Sequence, residues 1–269
     1  MTSKKIFFTG GNGFIGKEVI PLLRRDGYKV VAPKSSELNL TDTDSVRQYF
    51  DVNGFEYHAI IHAAVLGGRR IKQDGLITYL DNMRMFENIF AYSKYVDRFI
   101  NIDSGASLFD SGDIPLDPYG FSKYCAARSV TNVENGINLK LFGCFGIRED
   151  DHRFITTAIK NYINKEPITI FQDKLMDFMY VKDFYKILKY SLECGPHLIQ
   201  ARPDMIHCTY DRKFYLSDIA EMINDLDRYD VPIIIESKEK GMPYCGKYSI
   251  DLDYIGLDRG IQEIYESLC

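Results

Sequence analysis

No apolar run in the 269 residues approaches the roughly 18 needed to span a bilayer. The N-terminus passes into a strand pattern without the charged, apolar and small-residue succession of a signal peptide. No membrane partner is therefore expected, and the cytoplasm is the expected compartment. Basic excess is missing as well: the formal net charge is -5, which provides no electrostatic footprint for nucleic acid. The six cysteines (Cys125, Cys144, Cys194, Cys208, Cys245, Cys269) include no Cys-x-x-Cys pair and no histidine at ligand spacing, so free thiols are expected and no metal. Repeats and low-complexity segments are absent, and 45% hydrophobic with 26% charged residues excludes the disordered class. What remains is a folded chain long enough for one large α/β domain, or a domain with a smaller appendage, and a small-molecule partner.

The most informative stretch lies near the start. Lys5-Ile6-Phe7-Phe8 runs into Thr9-Gly10-Gly11-Asn12-Gly13-Phe14-Ile15-Gly16, with glycines three apart, and then Ile15, Val19, Leu22 and Leu23 repeat on one helical face before Gly27. A strand, a glycine turn and a helix start in that order cradle a pyrophosphate. The helix N-terminus leaves N–H groups unpaired and carries partial positive charge. Gly10 permits the turn, Gly13 clears the phosphate path and Gly16 lets helix and strand close on each other. Pro21 inside the helix leaves the Lys17 carbonyl without its usual donor, and a kink is expected there.

A second strand at Tyr28–Ala32 ends in Pro33-Lys34-Ser35-Ser36. An acidic residue at this place bonds the adenosine ribose, whereas a basic one accommodates a 2′-phosphate. Lys34 and Ser35 favour NADP(H); Glu37 competes for the ribose, which keeps NAD(H) open. Thr41 or Asp42 caps a helix carrying Val46, Tyr49 and Phe50. His58–Ala64 reads as an apolar strand ending in small residues, Ala63 and Ala64, that let a cofactor pass over its end. His62 in that run reads as a packed strand residue. A helix is expected from Leu76 to Tyr95 with Asn82 within it, and Arg98–Ile102 as the next strand. The alternation argues for a doubly wound parallel sheet.

Behind that strand, Pro118-Tyr119-Gly120-Phe121-Ser122-Lys123 opens a helix with Tyr119 and Lys123 four apart, hence on one face. An ammonium beside a phenol favours the phenolate and lowers a pKa that is ordinarily near 10. A tyrosine so tuned moves a proton to or from a carbonyl oxygen.

Together with the glycine turn, this pair resembles the extended short-chain dehydrogenase/reductase family, especially nucleotide-sugar epimerases, dehydratases and reductases. Glu37–Leu40, Ala63-Ala64-Val65-Leu66-Gly67-Gly68 and Asn82-Met83 are similar to the GDP-fucose synthase branch, whose members use NADPH on a 4-keto-6-deoxy sugar. Leu141–Gly146 is similar to the segment beside the nicotinamide, and Asp177–Asp183 to one near the nucleotide. The resemblance implies a Rossmann domain over 1–146, partly rejoined by 165–205, and a smaller C-terminal α/β substrate lobe over 147–269. It implies catalysis by Ser104, Tyr119 and Lys123. Cofactor contacts would come from Gly10, Gly13, Phe14, Ile15, Gly16, Lys34, Ser35, Asn39, Leu40, Ala63, Ala64, Val65, Asn82, Tyr119, Lys123 and Phe142. Ser107, His152 and Arg153 would meet a nucleotide-sugar substrate, and a homodimer paired through helices at 76–95 and 119–132 is implied.

Three positions depart from the pattern. Gly105 stands where the family has a Ser or Thr that bonds the substrate carbonyl, so the role passes to Ser104. Ser107 stands where the GDP-fucose synthase branch has its epimerising cysteine, while His152 matches its histidine; serine is a poor acid-base, which favours simple reduction. Met176 replaces an arginine before Asp177, leaving Lys174 or Arg153 to meet a phosphate. Gly67-Gly68-Arg69-Arg70 is either a basic lid over a diphosphate or a charged loop. The expected activity is NADP-dependent reduction of a nucleotide-linked 4-keto sugar. The alternatives are an epimerase with retained NAD(P) and a non-catalytic NADP sensor.

Overall fold

Ile6, Phe7 and Phe8 are completely buried because their strand has neighbours on both edges and helices on both faces. In the computed structural model, which describes residues 4–68, 74–108, 117–194, 205–247 and 250–269, this strand is β1 (Lys5–Thr9). It pairs in parallel with β2 (Lys29–Val31) on one side and β3 (Ala59–His62) on the other. The sheet continues through β4 (Arg98–Ser104), β5 (Gly136–Leu141) and β9 (Met205–Cys208) in the order β2-β1-β3-β4-β5-β9. The chain leaves β1 for one edge and then returns to its other side, so β1 and β3 flank a switch point. Open parallel sheets bind ligands at the carboxyl end of such a point.

Helices α1 (Phe14–Arg25), α2 (Thr43–Asn53), α3 (Leu76–Phe90) and α4 (Pro118–Thr131) alternate with these strands. Asp42 caps α2, its carboxylate accepting from the Asp44 and Ser45 amides. Helix α1 runs through Pro21, since the missing N–H costs one carbonyl partner while Val19, Ile20 and Leu23 keep their face buried. The helix expected over 76–95 ends earlier, at Phe90, and a separate 3-10 turn follows at Ser93–Tyr95. Phe7, Phe50, Tyr57, Phe86 and Phe99 pack in one core cluster, with Phe50 centred 5.0 Å from Phe7 and 4.5 Å from Tyr92.

The chain divides into two units, Met1–Lys140 with Leu188–Ile206, and Leu141–Ile187 with His207–Cys269. The second contains two short parallel pairs: β6 (Cys144–Phe145) with β8 (Met179–Tyr180), and β7 (Ile168–Ile170) with β10 (Ile233–Ile235). It also holds α5 (Phe154–Ile163), α7 (Leu216–Asn224) and α8 (Leu257–Leu268), while α6 (Val181–Glu193) runs into the first unit. In the sequence Ser217 stands before Ile219, Met222, Ile223 and Leu226 on one helical face and reads as a helix cap, but it does not cap α7. It lies inside the helix and bonds Asp173, while the Asp218 carboxylate takes the Tyr215 amide at the helix start. Asp183, fully buried, ties the second unit together by accepting from the Ile255 and Gly256 amides and the Tyr210 hydroxyl. Among the described residues no helix is long and apolar enough to cross a membrane.

Candidate active site

At the switch point Thr9 and His62 are register partners across β1 and β3. Thr9 Oγ1 accepts from the Ala63 and Ala64 amides, both at 3.2 Å, and lies 3.0 Å from His62 Nδ1. With two donors already on its oxygen, the threonine gives its own proton to Nδ1, which fixes the His62 tautomer. Burial, reinforced by the Lys123 charge, pushes His62 down to about 3, so it is a neutral framework residue.

The glycine turn lies directly against this rim. Gly10 has φ +73°, and a Cβ there would come within 2.7 Å of the Ala63 carbonyl carbon and the Ala64 nitrogen. A Cβ on Gly16 would meet Gly11 Cα at 2.6 Å, so helix α1 and the turn touch backbone to backbone. Gly13 differs: a Cβ would meet only the Gly10 carbonyl oxygen, at 3.3 Å, and its own side is otherwise open. Among the described residues no side chain caps α1, whose first residues Phe14 and Ile15 are half-buried. The amides that no described side chain caps and the open side at Gly13 fit a dinucleotide's diphosphate. At the end of β2, Lys34 and Ser35 are exposed, and the Glu37 carboxylate accepts from the Lys34 amide at 2.7 Å. Asn39 is exposed and turns its side chain onto Thr41, and Leu40 packs against the core.

Asn82, expected within α3, is buried and works as a clamp. It accepts from the Leu66 amide at 2.7 Å and donates to the Leu66 carbonyl at 3.0 Å and Ser122 Oγ at 3.1 Å. The segment after β3, including exposed Val65, is thereby tied to both α3 and α4. Its Gly68, with φ +72° and its amide donated to Asp74, lies on the Tyr119 ring: a Cβ would be 2.8 Å from Tyr119 Cζ. Arg69 and Arg70, the basic part of the segment read as either a lid or a charged loop, fall outside the described residues.

Helix α4 starts where Asp117 accepts the Gly120 amide at 2.7 Å. Tyr119 is half-buried in its first turn and Lys123 is fully buried one turn on, its Nζ donating to the Ile102 carbonyl at 2.7 Å. Burial pushes the Lys123 ammonium down to about 8; Asp103 opposes the fall and Lys140 adds to it. Ser104, at the end of β4, accepts the Ala106 amide on Oγ and keeps its hydroxyl proton to donate. Gly105 and Ser107 follow in a 3-10 turn packed on α4, where a Cβ on Gly120 would be 2.6 Å from the Ala106 oxygen.

Sequence reasoning missed two members of this neighbourhood. Lys140 on β5 and Asp103 on β4 form a fully buried ion pair, and Lys140 also bonds Ser107 Oγ. The signal was present: a lysine between Leu139 and Leu141 in a strand with no exposed residue needs a buried anion.

The second unit holds the other expected residues. Phe142 is buried, with ring centroids 5.6 Å from His207 and 5.4 Å from Tyr244. His152 and Arg153 are exposed in the turn that opens α5. Glu149, just before them, is buried and pushed up to about 8 by that burial. Met176 is buried, Asp177 pairs with Lys213 at 2.9 Å, and Lys174 stands over the Tyr244 ring.

The model of the NAD dependent epimerase/dehydratase family matches residues 6–199. A GDP-L-fucose synthase from Azorhizobium caulinodans is 27% identical over 230 residues, covering 73% of this chain and 73% of that protein. A CDP-abequose synthase from Salmonella muenchen is 27% identical over 221 residues, 74% of each chain. Among solved structures, a GDP-mannoheptose C4 reductase from Campylobacter jejuni with NADP bound superposes with a TM-score of 0.79 at 16% identity, covering 99% of this chain and 98% of that one.

Proposed function

The chain belongs to the NAD dependent epimerase/dehydratase family, which makes it an NAD(P)-dependent enzyme of the nucleotide-sugar oxidoreductase/epimerase kind, and from that premise we propose that it reduces a nucleotide-linked 4-keto sugar with NADPH. The observation that carries the reading is the pairing, on one turn of α4, of a half-buried phenol with a fully buried amine anchored to the end of β4. NADPH bound along Gly10, Gly13 and Gly16 supplies the hydride that adds to the carbonyl carbon. Tyr119 gives its phenolic proton to the carbonyl oxygen as negative charge develops there. Lys123 stabilises the resulting phenolate, and its buried site strengthens that interaction because little water screens it. Ser104 donates its spare hydroxyl proton to the same oxygen.

Lys34 favours NADPH over NADH, since the carboxylate that would compete for the ribose, Glu37, is already bonded to a backbone amide. Reduction without epimerisation fits Ser107: its oxygen accepts from Lys140 and its proton goes to Asp103 or the Ser104 carbonyl, leaving one lone pair for a substrate hydroxyl and no proton to exchange. His152 and Arg153 are assigned to the nucleotide sugar, and the helices at 76–90 and 118–131 to a homodimer contact.

Replacement of Tyr119 tests the assignment. Tyr119→Phe is expected to lower turnover of a 4-keto nucleotide sugar by about a hundredfold or more, with NADPH affinity nearly unchanged. Undiminished turnover would reject it.

A further inference from the structure

The first unit buries more charge than the proposed proton transfer uses. Lys140 and Asp103 have no solvent-exposed side-chain surface, and they pair across β4 and β5. Removing two ions from water is costly, and apolar residues of similar volume are often as stabilising. Stability alone therefore gives no reason for the pair.

Its contacts suggest another purpose. Three consecutive residues at the end of β4 are held by two lysines. The Ile102 carbonyl accepts from Lys123 Nζ. The Asp103 carboxylate accepts from Lys140 and, at 3.0 Å, from Ser107 Oγ. The Ser104 carbonyl accepts from Lys140 Nζ at 3.3 Å and lies 2.8 Å from Ser107 Oγ, an alternative to Asp103 as acceptor of its one proton. All of this engages Asp103 through Oδ2, whereas Oδ1 is buried and has no hydrogen-bond partner among the described residues. A carboxylate with one bare oxygen thus lies within the field of the Lys123 ammonium.

We propose that Lys140 and Asp103 are a positioning pair for Tyr119 and Lys123. They pin the strand end that presents Ser104 and anchors Lys123, and they keep a carboxylate beside the buried amine. Lys140 holds the Asp103 carboxylate in place through Oδ2. Asp103 in turn offsets part of the penalty that burial imposes on Lys123, and so preserves its positive charge. Among the described residues, His62 on β3, which is neutral, also faces Lys123, and Tyr119 lies one turn away on the same helix. This role rests on the reading of Tyr119 and Lys123 given above.

The test titrates the amine itself. The full-length protein is labelled with 13Cε-lysine, with and without NADPH, and the Lys123 resonance is assigned by its loss in Lys123→Met. Asp103→Asn, close to isosteric, should lower the Lys123 midpoint by about half a pH unit or more, a roughly threefold loss of proton affinity. Lys140→Met should raise it by a comparable amount. Should a single variant fail to fold because it strands a charge, the double variant Asp103→Leu/Lys140→Met strands none. Its midpoint should fall, by less than in Asp103→Asn. Midpoints that stay in place, or that move the same way in both single variants, would overturn the proposal. Tyr119→Phe separates the two failures. Retained turnover there would remove the proton-donor reading and leave the titrations standing, whereas lost turnover with unmoved midpoints would remove only the role of the pair.

Discussion

Replacing Lys123 with methionine should make the first unit more stable at neutral pH while removing activity. The amine is fully buried, and its pKa falls from an ordinary 10.5 to about 8. At roughly 1.4 kcal/mol per pH unit, holding it protonated in the fold costs about 3 kcal/mol. Methionine matches its length without charge, but the Ile102 carbonyl then loses its donor, at about 1 kcal/mol. The net gain at pH 7 is about 2 kcal/mol, or about 4 to 8 °C in the melting of a unit of this size. The sign depends on pH. Between about 8 and 10.5 the unfolded lysine binds a proton that the folded one has released, so wild-type stability rises with pH in that window. The advantage of Lys123→Met should therefore be full below pH 8 and mostly gone by pH 10. Thermal melts of both proteins at the two pH values check it. A variant less stable than wild type at pH 7, or a difference that does not change with pH, would refute the reasoning.

Turnover itself should decline as pH rises through about 8, because the phenolate then loses its neighbouring cation; a pH profile of NADPH oxidation checks this. Glu149 acts in the opposite sense to Lys123: with its pKa raised from 4.5 to about 8, the folded acid retains a proton that the unfolded chain releases, so stability falls as pH climbs between those values. Glu149→Gln should flatten that slope in melts at pH 5 and 8. Gly68→Ala would set a methyl 2.8 Å from Tyr119 Cζ at a left-handed backbone position, and should cut kcat by about tenfold while NADPH fluorescence titration reports unchanged binding.

What could be read from the sequence was what short-range order controls. The glycine turn, the α1 face and the Tyr119–Lys123 spacing each lie within a dozen residues, and their geometry follows from strand and helix periods. Asn82 could be placed on its helix, but its three hydrogen bonds reach residues 16 and 40 positions away and depend on packing. The Lys140–Asp103 pair was harder still, since 37 residues separate its members and only the placement of β5 beside β4 brings them together. Helix α8 was missed for a local reason. It opens after Gly256 at φ +94° with no capping side chain, so the usual start signal is absent. Ser217 misled in the reverse direction, because a residue type favoured at caps is here bonded to Asp173 from within α7.

Single-turnover reaction with NADPH deuterated at the transferring position tests the account most directly, using a panel of GDP-, CDP- and dTDP-linked 4-keto-6-deoxy sugars with mass analysis of products. The account predicts one equivalent of NADPH consumed and one deuterium on the new carbinol carbon for at least one of them, with the transfer slowed about a hundredfold or more in Tyr119→Phe. Binding of NADPH with no deuterium transferred to any sugar, or epimerised product without net NADPH consumption, would contradict it.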